Sequence, residues 1–291
     1  MPDLDDRPCV GAHSRPLRFL IATLVVGAYM ALGFRLHLDR DAYQLLGIAM
    51  LLIFQLAIQR QPILALWVRS APPLRLDSAF FVRWSLFSLL PLLEGVRSLA
   101  NGDVARTGIY AAAIPGAFGL AYALQRMQAE NVRQLGLCLL TAGGIGLLPL
   151  LLSRILPRIL HIHMKLGPSN PMQQPALLPS LLTGGETLLI GLPLGFMVEE
   201  VFFRGALDTY LHRGEKTTGW FSAIYVSALW GVWHLPGQTI PPGRLLPTIL
   251  GLIVAQVAVG VPLSLWWRRS GNLTVPDATH AVLDAVRAAL G

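Results

Sequence analysis

Apolar residues in this chain gather into long runs at 18–36, 42–59, 78–95, 108–125, 135–153, 182–208, 219–236 and 245–267, with short polar stretches between them. A run of about 20 apolar residues is the length a helix needs to cross the hydrocarbon core of a bilayer. Helix is the expected form because each backbone N–H and C=O inside lipid has to find its partner within the segment. A ninth segment, 273–290, alternates apolar and polar positions at helical spacing and reads as amphipathic. The pattern predicts an all-α fold, a polytopic transmembrane helical bundle of about eight or nine membrane segments. Arg83, Pro91 and Glu94 blur the ends of the third run. Pro115, Pro149 and Pro193 predict kinks, which neighbouring helices can accommodate. Gly143, Gly144 and Gly146 either admit a close helix neighbour or simply loosen their own helix.

The longest interruption carries Pro157, Pro168, Pro171, Pro175 and Pro179. It divides the chain into an N-terminal membrane region of five helices (1–153), a proline-rich linker (154–181) and a C-terminal membrane region (182–291). His161 and His163 fall in the linker with no acid or cysteine beside them, so they read as a solvated loop rather than a metal site. The first 18 residues mix Asp3, Asp5 and Asp6 with arginines, and no small-residue cleavage site follows. The first apolar run is therefore expected to stay in the protein as a membrane helix.

Composition sharpens the picture. The chain of 291 residues is 54% hydrophobic and only 13% charged, against about 25% charged in soluble domains. That excludes an ordinary soluble protein. The net charge of +7 comes from basic residues that punctuate the apolar runs, which suits loops against an anionic lipid surface and predicts no nucleic-acid partner. Basic residues in the loops on the N-terminal side outnumber those on the other side, favouring a cytoplasmic N-terminus. Cys9 and Cys138 form neither a disulfide framework nor a metal motif. Richness in Ala, Leu, Arg and Gly points to a bacterial inner membrane, and nothing sets an oligomeric state. Trp266-Trp267-Arg268-Arg269 reads as an interfacial anchor of aromatic belt and positive charge, and His212-Arg213 as the wet end of its helix.

Against this apolar background, three polar clusters carry the candidate chemistry. The first is Glu199-Glu200 with Arg204, in the apolar stretch Gly195–Gly205. An acid at the centre of a membrane helix costs about 2.5–3.5 kcal/mol on insertion scales, and such residues persist where they have a task. Glu200 and Arg204 are four apart and share a helix face. Glu199 points about 100° away and is left unmatched by that arginine. The second cluster is Trp230 and His234, again four apart; the third is His280 and Asp284. Three helices can thus aim acids and imidazoles into one intramembrane cavity. A desolvated carboxylate serves as a general base near neutral pH, and a histidine can donate to a developing oxyanion. No serine or cysteine stands out as a nucleophile, so activation of water fits better than a covalent intermediate.

These residues resemble the CPBP family of intramembrane proteases, which includes the type II CAAX prenyl endopeptidases. The family pattern is E-E-x-x-x-R, then F-x-x-x-H, then H-x-x-x-N or H-x-x-x-D on successive membrane helices. The first motif is complete here, the second has Trp230 for phenylalanine, and the third is His280 with Asp284. The resemblance covers roughly 182–290. It implies a glutamate-type endopeptidase with no cofactor and a membrane-associated peptide or protein as substrate. Glu199 would be the general base, activating water together with His234. Glu200 would be held by Arg204, and His280 and Asp284 would position or stabilise the tetrahedral intermediate. Other readings of the same residues are a zinc-dependent membrane protease, for which no H-E-x-x-H motif is present, a non-catalytic peptide-binding or immunity-type membrane protein of the same fold, and a transporter using the acids as a proton relay.

Overall fold

A computed structural model describes residues 14–149, 152, 177–213 and 219–290. The N-terminal charged stretch with Cys9, the linker up to residue 176 with His161 and His163, and the loop residue Lys216 lie outside the described residues.

The described residues form a helical bundle with no sheet; Val68 and Asn272 make one isolated bridge. The first half contains α1 (Arg15–Arg35), α2 (Arg40–Ile53), α3 (Ser78–Ala100), α4 (Val104–Gln125) and α5 (Ala129–Cys138). π-helical turns extend α2 over Phe54–Gln59 and α5 over Leu139–Gly143. The second half contains α6 (Leu177–Gly195), a π-helix at Val201–Asp208 that runs into the short α7 (Thr209–His212), then α8 (Trp220–Trp233), α9 (Leu245–Ser270) and α10 (Thr274–Leu290). The loops carry the caps that start these helices. Asp39 accepts from Ala42 N at 2.8 Å, Asp77 from Phe80 N at 2.7 Å and Asp103 from Arg106 N at 3.0 Å, each satisfying one orphan donor of a first turn. Gly271, at φ 61°, ends α9 in the left-handed conformation that glycine reaches without strain.

Six helices among the described residues are long and apolar enough to cross a membrane: 15–35, 40–59, 78–100, 104–125, 129–149 and 245–270. The other three expected segments take different forms. The run 182–208 is broken by turns at 196–199, just after Pro193 has removed one ladder donor. The run 219–236 yields only the 14 residues of α8 before a 3-10 turn at Leu235–Gly237. The amphipathic segment becomes the 17-residue α10. Apolar side chains also point outward, as Val82, Leu86, Leu89, Leu93 and Val96 do along α3, so the bundle wears the surface that lipid favours.

The helices meet at glycines. A Cβ on Gly116 of α4 would lie 1.8 Å from the Pro193 carbonyl oxygen of α6, so only glycine permits this crossing. Gly184, Gly191 and Gly195 of α6 face Ala285, Ala281 and Asp277 of α10, holding those two helices in antiparallel contact. Of the Gly143-Gly144-Gly146 group, only Gly146 has a neighbour, Leu283, within contact of such a Cβ.

Two surface assignments made from sequence are corrected here. Arg268 is buried, not interfacial. Its guanidinium donates to Asp208 at 2.9 and 2.5 Å, to Ser222 Oγ at 2.9 Å and to the Gly219 carbonyl at 2.7 Å. Trp267 is buried beside it and donates to Thr209 Oγ1 at 3.0 Å. His212 is buried too. For Arg268 the reason is electrostatic, while Trp267 and His212 pack along the same buried segment. The π-helix lies inside the bundle with all eight of its residues buried, so its charged Asp208 draws a cation inward from α9.

Candidate functional site

The site forms where the sixth apolar run stops being a continuous helix. Glu199 is the last residue of the turn at 196–199, and Glu200 leads into the π-helix. Broken helices are tolerated at membrane depth where other groups satisfy the freed backbone. Here Trp67 donates its indole N–H to the Phe196 carbonyl at 3.2 Å. The turn gives the adjacent acids separate surroundings.

Glu200 and Arg204 are both fully buried, with Nε 3.4 Å from Oε2. His280 Nδ1 approaches the other oxygen of Glu200 at 3.0 Å. The Arg204 guanidinium lies over the Trp230 ring, 4.7 Å from its centroid, which is cation–π distance. Gly260 of α9 makes the room: a Cβ there would come within 2.8 Å of Arg204 Nη2 and 2.6 Å of Ser227 Oγ.

Glu199 faces the other way. Its Oε2 accepts from Trp230 Nε1 at 3.1 Å and stands 3.8 Å from His234 Nε2. His234 sits at the C-cap of α8, and its Nδ1 is 2.8 Å from the Trp230 carbonyl. A carbonyl only accepts, so Nδ1 is the donor there and Nε2 of the neutral ring is an acceptor. Two acceptors cannot bond to each other at that separation, but one water can donate to both. The end of α8 is held by Tyr43, which stacks on Trp233 at 5.4 Å and donates to its carbonyl at 2.9 Å.

Trp230 also meets the His280 ring edge-on at 5.1 Å, so one indole touches all three clusters. His280 Nε2 is 3.5 Å from Asp284 Oδ2, and Arg287 lies 3.5 Å from that carboxylate's other oxygen. Asp284 is half exposed, unlike the buried Glu200. A cavity of about 740 Å³ reaches Glu199, His280 and Asp284 between α2, α4, α6 and α10. The first half of the chain thus supplies part of the wall, through Asp41, Gln44, Arg106 and Tyr110.

Besides Asp39 and Asp41, two acids of the second half line this cavity and were not singled out from sequence. Asp277 is buried, three residues before His280 and seven before Asp284, on the same helical stripe. Its place right after Pro276 is that of an ordinary acid in the first turn of a helix. Glu186 stands in an apolar run beside Gly184-Gly185; its lone charge was the available signal. Among the described residues no group of three or more His, Cys, Asp or Glu has the arrangement of a metal site.

A family model described as type II CAAX prenyl endopeptidase Rce1-like matches residues 186–286, about a third of the chain. The match spans most of α6, the π-helix, α8, α9 and most of α10. Comparison with curated proteins and with solved structures found no match. Residues 186–286 are therefore similar to a CAAX-protease-like domain, within a helical architecture that fits an integral, multi-pass membrane protein.

Proposed function

We propose that this protein is an intramembrane endopeptidase that hydrolyses a peptide bond of a membrane-associated substrate with water activated by Glu199. Residues 182–291 form the catalytic region, and the five preceding helices brace it and wall the cavity. The observation that carries the reading is the pairing of two acceptors 3.8 Å apart, Glu199 Oε2 and His234 Nε2, with Glu199 lining the cavity and His234 behind it. A water donating to both has its lone pairs turned outward, toward a carbonyl carbon placed in the cavity. As its oxygen bonds to that carbon, Glu199 takes a proton. The tetrahedral intermediate collapses with rupture of the C–N bond, and the same proton passes to the leaving amine. His280, with Nδ1 held by Glu200, would turn its Nε2–H from the longer 3.5 Å approach to Asp284 toward the oxyanion. Asp284 orients His280 rather than facing the oxyanion itself. Glu200 and Arg204 hold this half of the site in register.

The test compares the membrane proteomes of cells carrying the wild type and Glu199→Gln. Glutamine keeps the shape and removes the base, a change worth about 10²–10⁴ in rate for general-base catalysis. Precursors that persist uncut only in the Glu199→Gln cells identify the substrates. Identical proteomes, with both proteins inserted at equal levels, overturn the reading.

A further inference from the structure

The cavity that reaches Glu199 is acidic out of proportion to the chain around it. Asp39, Asp41, Glu186, Glu199, Asp277 and Asp284 all line it, six of the 16 acids in a chain of net charge +7. Against them stand Arg40, Arg106 and His280. Arg106 lies 4.0 Å from Asp41. His280 is held between Glu200 and Asp284. Asp39 caps α2. Glu186 and Asp277 are then the acids left without work, one on each of the facing helices α6 and α10.

Neither is satisfied from within. Glu186 has no ion-pair partner among the described residues. Asp277 is 1% exposed, and its Oδ2 has no hydrogen-bond partner although the residue lines the cavity. A buried carboxylate with an unmet oxygen is unfavourable by about 1–3 kcal/mol or more, unless a ligand brings the donor. The spacing is informative as well. Thr183, Glu186, Thr187, Ile190 and Leu194 line the cavity on one helical stripe, a continuous wall along α6. From Glu186 to Gly195, against which Asp277 packs, that wall is about 13 Å long by helical rise. An extended peptide covers it in about four residues.

We propose that this cavity selects its substrates by positive charge. The occupant is an extended peptide segment bearing lysine or arginine, with one cationic side chain met by Asp277 near the scissile bond and another met by Glu186 about four residues away. This rests on the peptidase reading for its purpose but not for its measurement. Acceptors at both ends of the track favour basic segments, and the exposed Glu186 also disfavours acidic ones by repulsion.

The experiment measures binding where cleavage is blocked. Full-length protein carrying Glu199→Gln is placed in nanodiscs of neutral phosphatidylcholine. It is titrated with fluorescent N-acylated peptides identical except for Lys, Gln or Glu at the two charge positions. The lysine peptide is expected to bind about tenfold tighter than the glutamine peptide, a gap of about 1.4 kcal/mol, with the glutamate peptide weakest. Glu186→Gln should shrink the gap several-fold, and Glu186→Lys should reverse it. Asp277→Asn should act like Glu186→Gln; if that buried change prevents folding, the Glu186 variants carry the test, since this side chain is exposed to the cavity. Equal binding of the three peptides, or a lysine preference untouched by either Glu186 variant, overturns the proposal. With Glu199 restored, equal cleavage of all three peptides removes the charge selection and keeps the peptidase. Lysine-selective binding with no cleavage of any peptide keeps the selection and removes the peptidase.

Discussion

Trp230 is where the two adjacent acids are kept apart and yet connected: its N–H serves Glu199 and its ring face carries the cation that serves Glu200. The site can therefore be dissected at single atoms. Trp230→Phe keeps an aromatic face under Arg204 and deletes the donor to Glu199, with a smaller ring in a buried place. Loss of that hydrogen bond should lower cleavage by the reconstituted protein by about tenfold or more, and the smaller ring should lower the thermal midpoint while the protein stays inserted and monodisperse. Undiminished turnover would show that the indole N–H does not position the base. Arg204→Ala should do the opposite kind of damage. It strands Glu200 in a fully buried place, and breaking a buried pair costs about 3–5 kcal/mol. Loss of monodisperse protein on size exclusion in detergent is the expected result. The sequence exposed Glu199, Glu200 and Arg204 because charges within one apolar run announce themselves. Asp208 and Arg268 stayed hidden as partners because they lie 60 positions apart, and no local spacing joins them. Asp277 stayed hidden because an acid after a proline has an ordinary explanation at a helix start.

At the scale of helices, run length predicted where apolar segments lie and could not predict where they break. Hydropathy does not record the phase of the hydrogen-bond ladder, so the turn at 196–199 and the π-helix after it were invisible, although both build the site. The glycine contacts were equally silent, since one spacing of small residues can mark a crossing or an empty face. The structure separates the cases. Gly116→Ala drives a methyl into the Pro193 carbonyl and should lower stability by about 1–3 kcal/mol or more, as overpacking does. Gly143→Ala meets nothing within 4 Å and should be neutral or stabilising by up to about 1 kcal/mol. Thermal unfolding of both variants in the same detergent checks the contrast; equal midpoints would mean that α4 and α6 do not cross so closely.

For the whole molecule, the backbone sorts its connections onto two ends. At one end Arg69 N bonds to the Gly271 carbonyl at 2.9 Å, Asn272 Nδ2 to the Ala123 carbonyl at 2.8 Å, and Arg18 to the Tyr210 and Arg213 carbonyls. At the other, Asp41 approaches Arg106, and Gly33 lies against Pro236. Single cysteines at Ser70 and Asn101, in a protein with Cys9→Ser and Cys138→Ala, should therefore react with a membrane-impermeant maleimide from opposite sides. Labelling of both from one side would overturn this threading. The site itself is assembled from distant parts of the chain, and that has a consequence for synthesis. Arg204 leaves the ribosome only four residues after Glu200, but His280, the other partner of that carboxylate, follows 80 residues later. At about 5–20 residues per second the delay is about 4–16 s. Throughout that interval one intrahelical cation alone must keep the acid tolerable in the bilayer, so the ion pair that braces the finished site also escorts its acid through translation.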